Sequence, residues 1–155
     1  AAFLKKKHVI EHALSLHAPD KNDPIDVLSK VGGFDLCAMT GVFLGAAIEH
    51  VPVVVDGFIS IVAALCASRL ASHAKAYFIG SHRSFEIGYR LAEQELGLHP
   101  CLELGMRLGE GSGCPIAFRV VEAACAVMCT MATFPEAAID DEYLTDIRAK
   151  DSFTV

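Results

Sequence analysis

The sequence has no apolar run long enough to cross a bilayer. Its three apolar stretches, Leu36–Ile48, Gly57–Ser68 and Ala123–Pro135, all fall short of the ~18 residues a helical span needs. It has no basic surplus either: 13 Lys and Arg face 19 Asp and Glu, a net charge of −6. The one basic run, Lys5-Lys6-Lys7, builds no nucleic-acid face. Among the six cysteines, at 37, 66, 101, 114, 125 and 129, there is no C-x-x-C pair and no third ligand at metal spacing, so no zinc site is expected. They read as reduced core cysteines of a cytosolic protein. No Gly-Lys-Ser/Thr follows a glycine-rich turn and G-x-G-x-x-G does not occur, which excludes a P-loop and the dinucleotide fingerprint. Internal repeats and low-complexity segments are absent as well.

What is present is apolar residue in excess. The 155 residues suit one domain and are enough to bury a core. The apolar share is 53%, above the usual ~45–50%, and the mean hydropathy is +0.42. The chain opens Ala-Ala-Phe, with no Met and no targeting segment, and is expected to be a fragment of something larger.

Periodicity divides the chain into helices and short apolar strands. Residues Phe3–Leu16 form an amphipathic helix with Leu4, Ile10, Ala13 and Leu14 near one face. The stretch "APDKNDP" breaks it, Asp23 caps a second helix with Pro24 at its first position, and Gly32-Gly33 stops that helix. A third runs from Asp35 to Glu49, where Ala38, Gly41, Gly45 and Ala46 would let another backbone come close. "VPVVVDG" has the continuous β-branched pattern of a buried parallel strand. Ser60–Leu70 is helical, Ala76–Ile79 is a second strand, and Phe85–Leu96 is another helix. A short strand is expected near Leu102–Leu104, then a long apolar helix at Pro115–Thr133, placed centrally. The tail from Pro135 is acidic (Asp140, Asp141, Glu142, Asp146) and either forms one short helix or is mobile. Alternating helices and strands give an α/β fold with a parallel sheet. The sheet is small, and its unpaired edges point to missing chain.

Ligands of open α/β sheets bind beyond the carboxyl ends of the strands. Three polar clusters belong there: Asp56-Gly57, Ser81-His82-Arg83-Ser84 and the loop "RLGEGSG", Arg107–Gly113. Asp56 either caps the next helix or binds a ribose hydroxyl. Ser84 is an N-cap, or a hydroxyl that joins a helix N-terminus in holding phosphate. Glu110 is either a solvated turn acid or a carboxylate whose pKa, raised against apolar walls, suits a general base.

Taken in order, "DPIDVLSKVGGFDLCAMTGVFLGAA", "VPVVVDGFIS", "SHRSFEIGYR", "LELGMRLGEGSG" and "VVEAACAVMCTMATF" resemble the C-terminal half of the CobT-type nicotinate-nucleotide:dimethylbenzimidazole phosphoribosyltransferase family. The resemblance runs from about Lys6 to Phe134. It implies a partial Rossmann-like α/β sheet, with residues 1–134 as the phosphoribosyltransferase portion and 135–155 as a tail. It implies a pentosyltransferase that moves ribose 5-phosphate from nicotinate mononucleotide to 5,6-dimethylbenzimidazole, giving α-ribazole 5′-phosphate and nicotinate for the lower ligand of cobalamin. No metal or redox cofactor is implied, and the family works as cytoplasmic homodimers.

By the same resemblance Glu110 is the general base and Ser84 holds the nucleotide phosphate. Lys6 lies near the nucleotide, with three consecutive lysines leaving its register open. Asp56, Gly57, Ser81, His82, Arg107, Leu108 and Gly109 line the nucleotide pocket. The family's upstream half, with a second glutamate in a "GELG"-type loop, has no counterpart here, so the chain is expected to be inactive alone. Two other readings remain: a non-catalytic α/β module that binds nucleotide phosphate, and a structural fragment stable only as an oligomer.

Overall fold

Two short strands carry the architecture. Three valines at Val53–Val55 form β1 and Phe78–Gly80 forms β2, and they pair in parallel with Val53 opposite Phe78, Val54 opposite Ile79 and Val55 opposite Gly80. This computed structural model describes residues 2–139 and Thr145. It contains two compact units, Ala1–Phe118 and Arg119–Val155. The acidic residues Asp140, Asp141, Glu142 and Asp146 lie outside the described residues.

Around the strands lie α1 (Ala2–His17), α2 (Pro24–Val31), α3 (Phe34–Ile48), α4 (Phe58–Leu70), a 3-10 helix (Ser72–Tyr77), α5 (Ile87–Leu96) and α6 (Cys114–Thr130). The start and stop signals expected of α2 are in place. Asp23 Oδ1 accepts from the Ile25 and Asp26 amides at 2.9 and 3.3 Å, an N-cap contributing about 1 kcal/mol. Gly32 closes α2, and Gly33 opens α3. Gly97, at φ 65°, ends α5 in the left-handed conformation that glycine adopts without a Cβ clash.

The core of the first unit gathers Val55 and Phe78 from the strands, Phe43 from α3, Ile61, Ala63, Ala64 and Ala67 from α4, and Tyr89, Ala92 and Leu96 from α5. The Phe43 and Phe78 rings meet edge to face at 5.1 Å. Alanine dominates the buried face of α4, which lets α3 and α5 pack close on it.

Several expectations change. The second strand begins at Phe78, because Ala76 and Tyr77 belong to the 3-10 helix. No strand forms at Leu102–Leu104; a single parallel bridge joins Leu102 to His82. The helix at α6 is not central, since Ala117 is its one buried residue among those described. The apolar stripe of α1 is uncovered, with no buried residue on the helix. Gly41 and Gly45 face open space rather than a close backbone. The cysteines, expected in the core, are not core residues: Cys37, Cys101, Cys125 and Cys129 are exposed, and Cys66 and Cys114 half-buried.

Candidate active site

Parallel pairing sets the residues after the two strands side by side. The Ser81 amide donates to Val55 O at 2.9 Å, which brings Asp56, Ser81 and His82 together at one sheet end. All three are buried, Ser81 and His82 almost completely. His82 Nδ1 lies 3.3 Å from Asp56 Oδ1 and 3.1 Å from Ser81 Oγ, and the Ser81 hydroxyl donates to Asp56 Oδ1 at 3.5 Å. Both short contacts of the ring use one nitrogen, so this is not a nucleophile–base–acid relay, in which the two imidazole nitrogens take separate partners.

The third cluster folds onto this centre. The Gly111 amide donates to Asp56 Oδ2 at 3.0 Å and the Gly113 amide to Asp56 Oδ1 at 2.8 Å. Gly113 must be glycine: a Cβ there would overlap His82 Nδ1 and Asp56 Oδ1. Gly109 packs over Gly57, its Cα 3.6 Å from where a Gly57 Cβ would stand. The Ser112 amide closes the turn on Gly109 O at 2.9 Å. Gly109, Glu110 and Gly111 follow one another at φ 72°, 55° and 75°. A left-handed conformation costs a non-glycine residue about 1–2 kcal/mol, so Glu110 stands where glycine would be more comfortable.

Beside this loop opens a cleft of about 620 Å³, the size of a small-molecule site. Met39, Val42 and Phe43 of α3, Val53, Phe58 and Leu108 supply apolar surface. Asp35, Glu86 and Glu110 bring carboxylates, with Asp56 at the base. No Lys, Arg or His lines it among the described residues. Such a cleft suits a flat aromatic ring and favours positive over negative charge. Cys114 also lines it; burial, with the nearby Asp56 charge adding to it, pushes its thiol pKa up. The buried Tyr89 hydroxyl has no hydrogen-bond partner among the described residues, and burial, then the charges of Glu93 and Asp56, hold its pKa well above the usual range.

Of the residues expected at the site, Asp56, Gly57, Leu108, Gly109 and Glu110 line the cleft, and Ser81 and His82 back it. Glu110 is exposed at the cleft rather than enclosed by apolar walls. Asp56 binds the glycine loop rather than capping α4, although its amide donates to Ser60 Oγ at 2.9 Å. Arg107 turns to stack over the Phe85 ring at 3.9 Å. Ser84 is not the cap of α5, which begins three residues later; its buried hydroxyl accepts from the Glu86 amide at 3.4 Å. Lys6 is exposed on α1 and is not part of the cleft.

Sequence reasoning missed Asp35, Glu86 and the apolar wall of α3. The signal was available in "GGFD" and "SHRSFE", where an acid sits at the start of a helix, in the second case just after a strand. Among the described residues, no group of three or more His, Cys, Asp or Glu is placed to hold a metal ion.

Comparison with known proteins agrees in sequence and in structure. A family model described as phosphoribosyltransferase (DBI_PRT) matches residues 1–139. A nicotinate-nucleotide–dimethylbenzimidazole phosphoribosyltransferase of Clostridium perfringens is 56% identical over the whole chain, which covers 43% of that protein. The Clostridium tetani protein of the same name is 49% identical over 96% of the chain and 41% of its own length. A crystal structure of the same name from Thermus thermophilus superposes with a TM-score of 0.73 at 36% identity, covering 76% of this chain and 36% of that one. The chain thus spans about two fifths of the curated relatives it matches.

Proposed function

Since this chain belongs to the phosphoribosyltransferase family, we propose that it is the C-terminal part of a nicotinate-nucleotide:dimethylbenzimidazole phosphoribosyltransferase and carries its general base, Glu110. In this reading nicotinate mononucleotide and 5,6-dimethylbenzimidazole react at C1′ of the ribose. The bond from C1′ to the pyridinium nitrogen breaks and nicotinate leaves with the electron pair. The benzimidazole nitrogen attacks from the opposite face, which inverts C1′ and gives α-ribazole 5′-phosphate. The proton lost from the azole N–H passes to the Glu110 carboxylate. The leaving ring departs neutral at nitrogen and needs no acid.

The observation that carries this reading is Glu110, held in a strained left-handed turn at an apolar cleft. The apolar surface of Met39, Phe43, Phe58 and Leu108 suits the benzimidazole ring. The carboxylates of Asp35 and Glu86 favour the pyridinium and the positive charge that develops at C1′. Among the described residues the cleft offers no cation to the phosphate, so in this reading Ser84, Lys6 and the upstream half of the enzyme hold it. Residues 1–134 form the phosphoribosyltransferase portion and 135–155 a tail. The assembled enzyme is a cytoplasmic homodimer, and the uncovered faces of α1 and α3 are surfaces available to the upstream half and to a second copy.

The test joins this chain to the upstream residues of its own gene, supplies both substrates and follows α-ribazole phosphate by chromatography. The joined protein turns over and the isolated chain does not. Glu110→Gln lowers kcat by roughly 100-fold or more and still binds nucleotide, as loss of a general base requires. Equal turnover by both versions would place the base in the upstream half. Binding without turnover by either would leave a non-catalytic nucleotide module.

A further inference from the structure

Asp56 was expected to touch substrate or to cap a helix. The structure gives its carboxylate other partners. Both oxygens are taken by backbone amides of the glycine loop, Oδ2 by Gly111 and Oδ1 by Gly113. Oδ1 also receives the Ser81 hydroxyl and lies beside His82 Nδ1. The side chain is only 7% exposed, so a ribose hydroxyl would have to displace one of these donors. The two clamped amides lie one and three residues beyond Glu110, and Gly109, one residue before it, rests on Gly57. Three backbone points therefore fix the frame from which the Glu110 side chain projects, and two of them hang on one carboxylate.

We propose that Asp56 is a positioning residue for Glu110, holding the loop through Gly111 and Gly113 while Ser81 and His82 hold the carboxylate. This rests on the reading of Glu110 as the base. The carboxylate accepts from both amides at once. An amide side chain cannot, because its NH2 end meets a backbone N–H with no acceptor. Asp56→Asn is then close in size and wrong in hydrogen bonding, and the loop loses one of its two tethers.

The experiment uses the full-length protein and two readouts. Amide hydrogen exchange comes first: in Asp56→Asn the Gly111 and Gly113 amides exchange at least ~10-fold faster, while those of α4 are unchanged. Kinetics come second: kcat falls roughly 30–100-fold with KM for nicotinate mononucleotide within about 3-fold, because a misplaced base slows chemistry without weakening binding. Adding Asp56→Asn to Glu110→Gln slows the enzyme no further than about 2-fold, since both act through one group.

Unchanged exchange at the loop would overturn the proposal. So would a raised KM with kcat intact, the mark of direct ribose contact, or full additivity in the double variant. If Glu110→Gln alone keeps full rate, the base reading has failed, and the exchange data still decide whether Asp56 tethers the loop. Should Asp56→Asn not fold, Ser81→Ala carries the same two readouts: faster exchange at Gly111 and Gly113 with lower kcat supports the clamp, and unchanged exchange overturns it.

Discussion

Glu110 and Asp56 are two carboxylates of one cleft in different settings. Glu110 is exposed at the cleft, free to turn toward a ligand; Asp56 is buried and fully engaged. Cys114, which lines the cleft with both, reports on its environment. Its thiol pKa is raised by burial first and by the Asp56 charge second, so the reactive thiolate is scarcer at a given pH than in an ordinary thiol. Iodoacetamide at about pH 8 is expected to modify Cys114 several-fold more slowly than free cysteine, the gap closing as pH rises. On the proposed function, dimethylbenzimidazole bound in the cleft should slow it further; mass spectrometry of the alkylated peptides checks both, and a rate matching free cysteine would contradict the described environment. From sequence, Asp56 was legible as a polar residue at a strand end. Its true partners were not, because Gly111 and Gly113 lie 55 and 57 residues along the chain and local pattern carries no such pairing. Lys6 illustrates the converse: a first-helix lysine that the family resemblance brings near the nucleotide and that the described fold leaves outside the cleft.

At the scale of elements, two kinds of glycine are distinguishable. Gly113 sits where a methyl group would strike His82 and Asp56, whereas Gly41 and Gly45 on α3 have nothing within 4 Å. Gly113→Ala is expected to destabilise the chain by about 2–3 kcal/mol, as overpacking of a tight site does. Gly41→Ala and Gly45→Ala should each stabilise it by roughly 0.5–1 kcal/mol through helix propensity. Urea unfolding of the three variants separates the cases, and loss of stability on Gly45→Ala would show that something covers α3. Helix positions were legible because caps and breakers are local: Asp23, Pro24, Gly32 and Gly97 act on neighbours a few residues away. The strand expected at Leu102–Leu104 failed for a physical reason. A strand needs a partner along its length, and here the ladder beside it stops after one bridge.

At the scale of the molecule, the chain combines a finished site floor with unfinished surfaces. Asp56 meets Ser81, His82, Gly111 and Gly113 within the described residues, while the buried Ser112 Oγ of the loop has no hydrogen-bond partner among them. Yet α1 buries nothing, and Phe34 and Ile87 are each more than 90% exposed. Contiguous exposed apolar surface of this kind marks sites of protein contact, and the chain spans about two fifths of the relatives it matches. The fold class was legible from alternation alone. That residues outside this chain complete the site was an expectation drawn from the small sheet and the family resemblance, not from any pattern at the cleft.

The parallel register also has a consequence in time. Val55 meets Gly80 across the intervening α4 and 3-10 helix, and the Gly113 amide reaches Asp56 across 57 residues. Closing loops of that length is entropically slower than winding helices, whose contacts are local. In stopped-flow refolding of the full-length enzyme, the far-ultraviolet helical signal should return first. Protection of the Gly111 and Gly113 amides should follow as a later phase, and turnover should recover with that phase. On the proposed function, a refolding enzyme would then pass through a helical but inert state before the loop that carries Glu110 docks on Asp56 and completes the cleft.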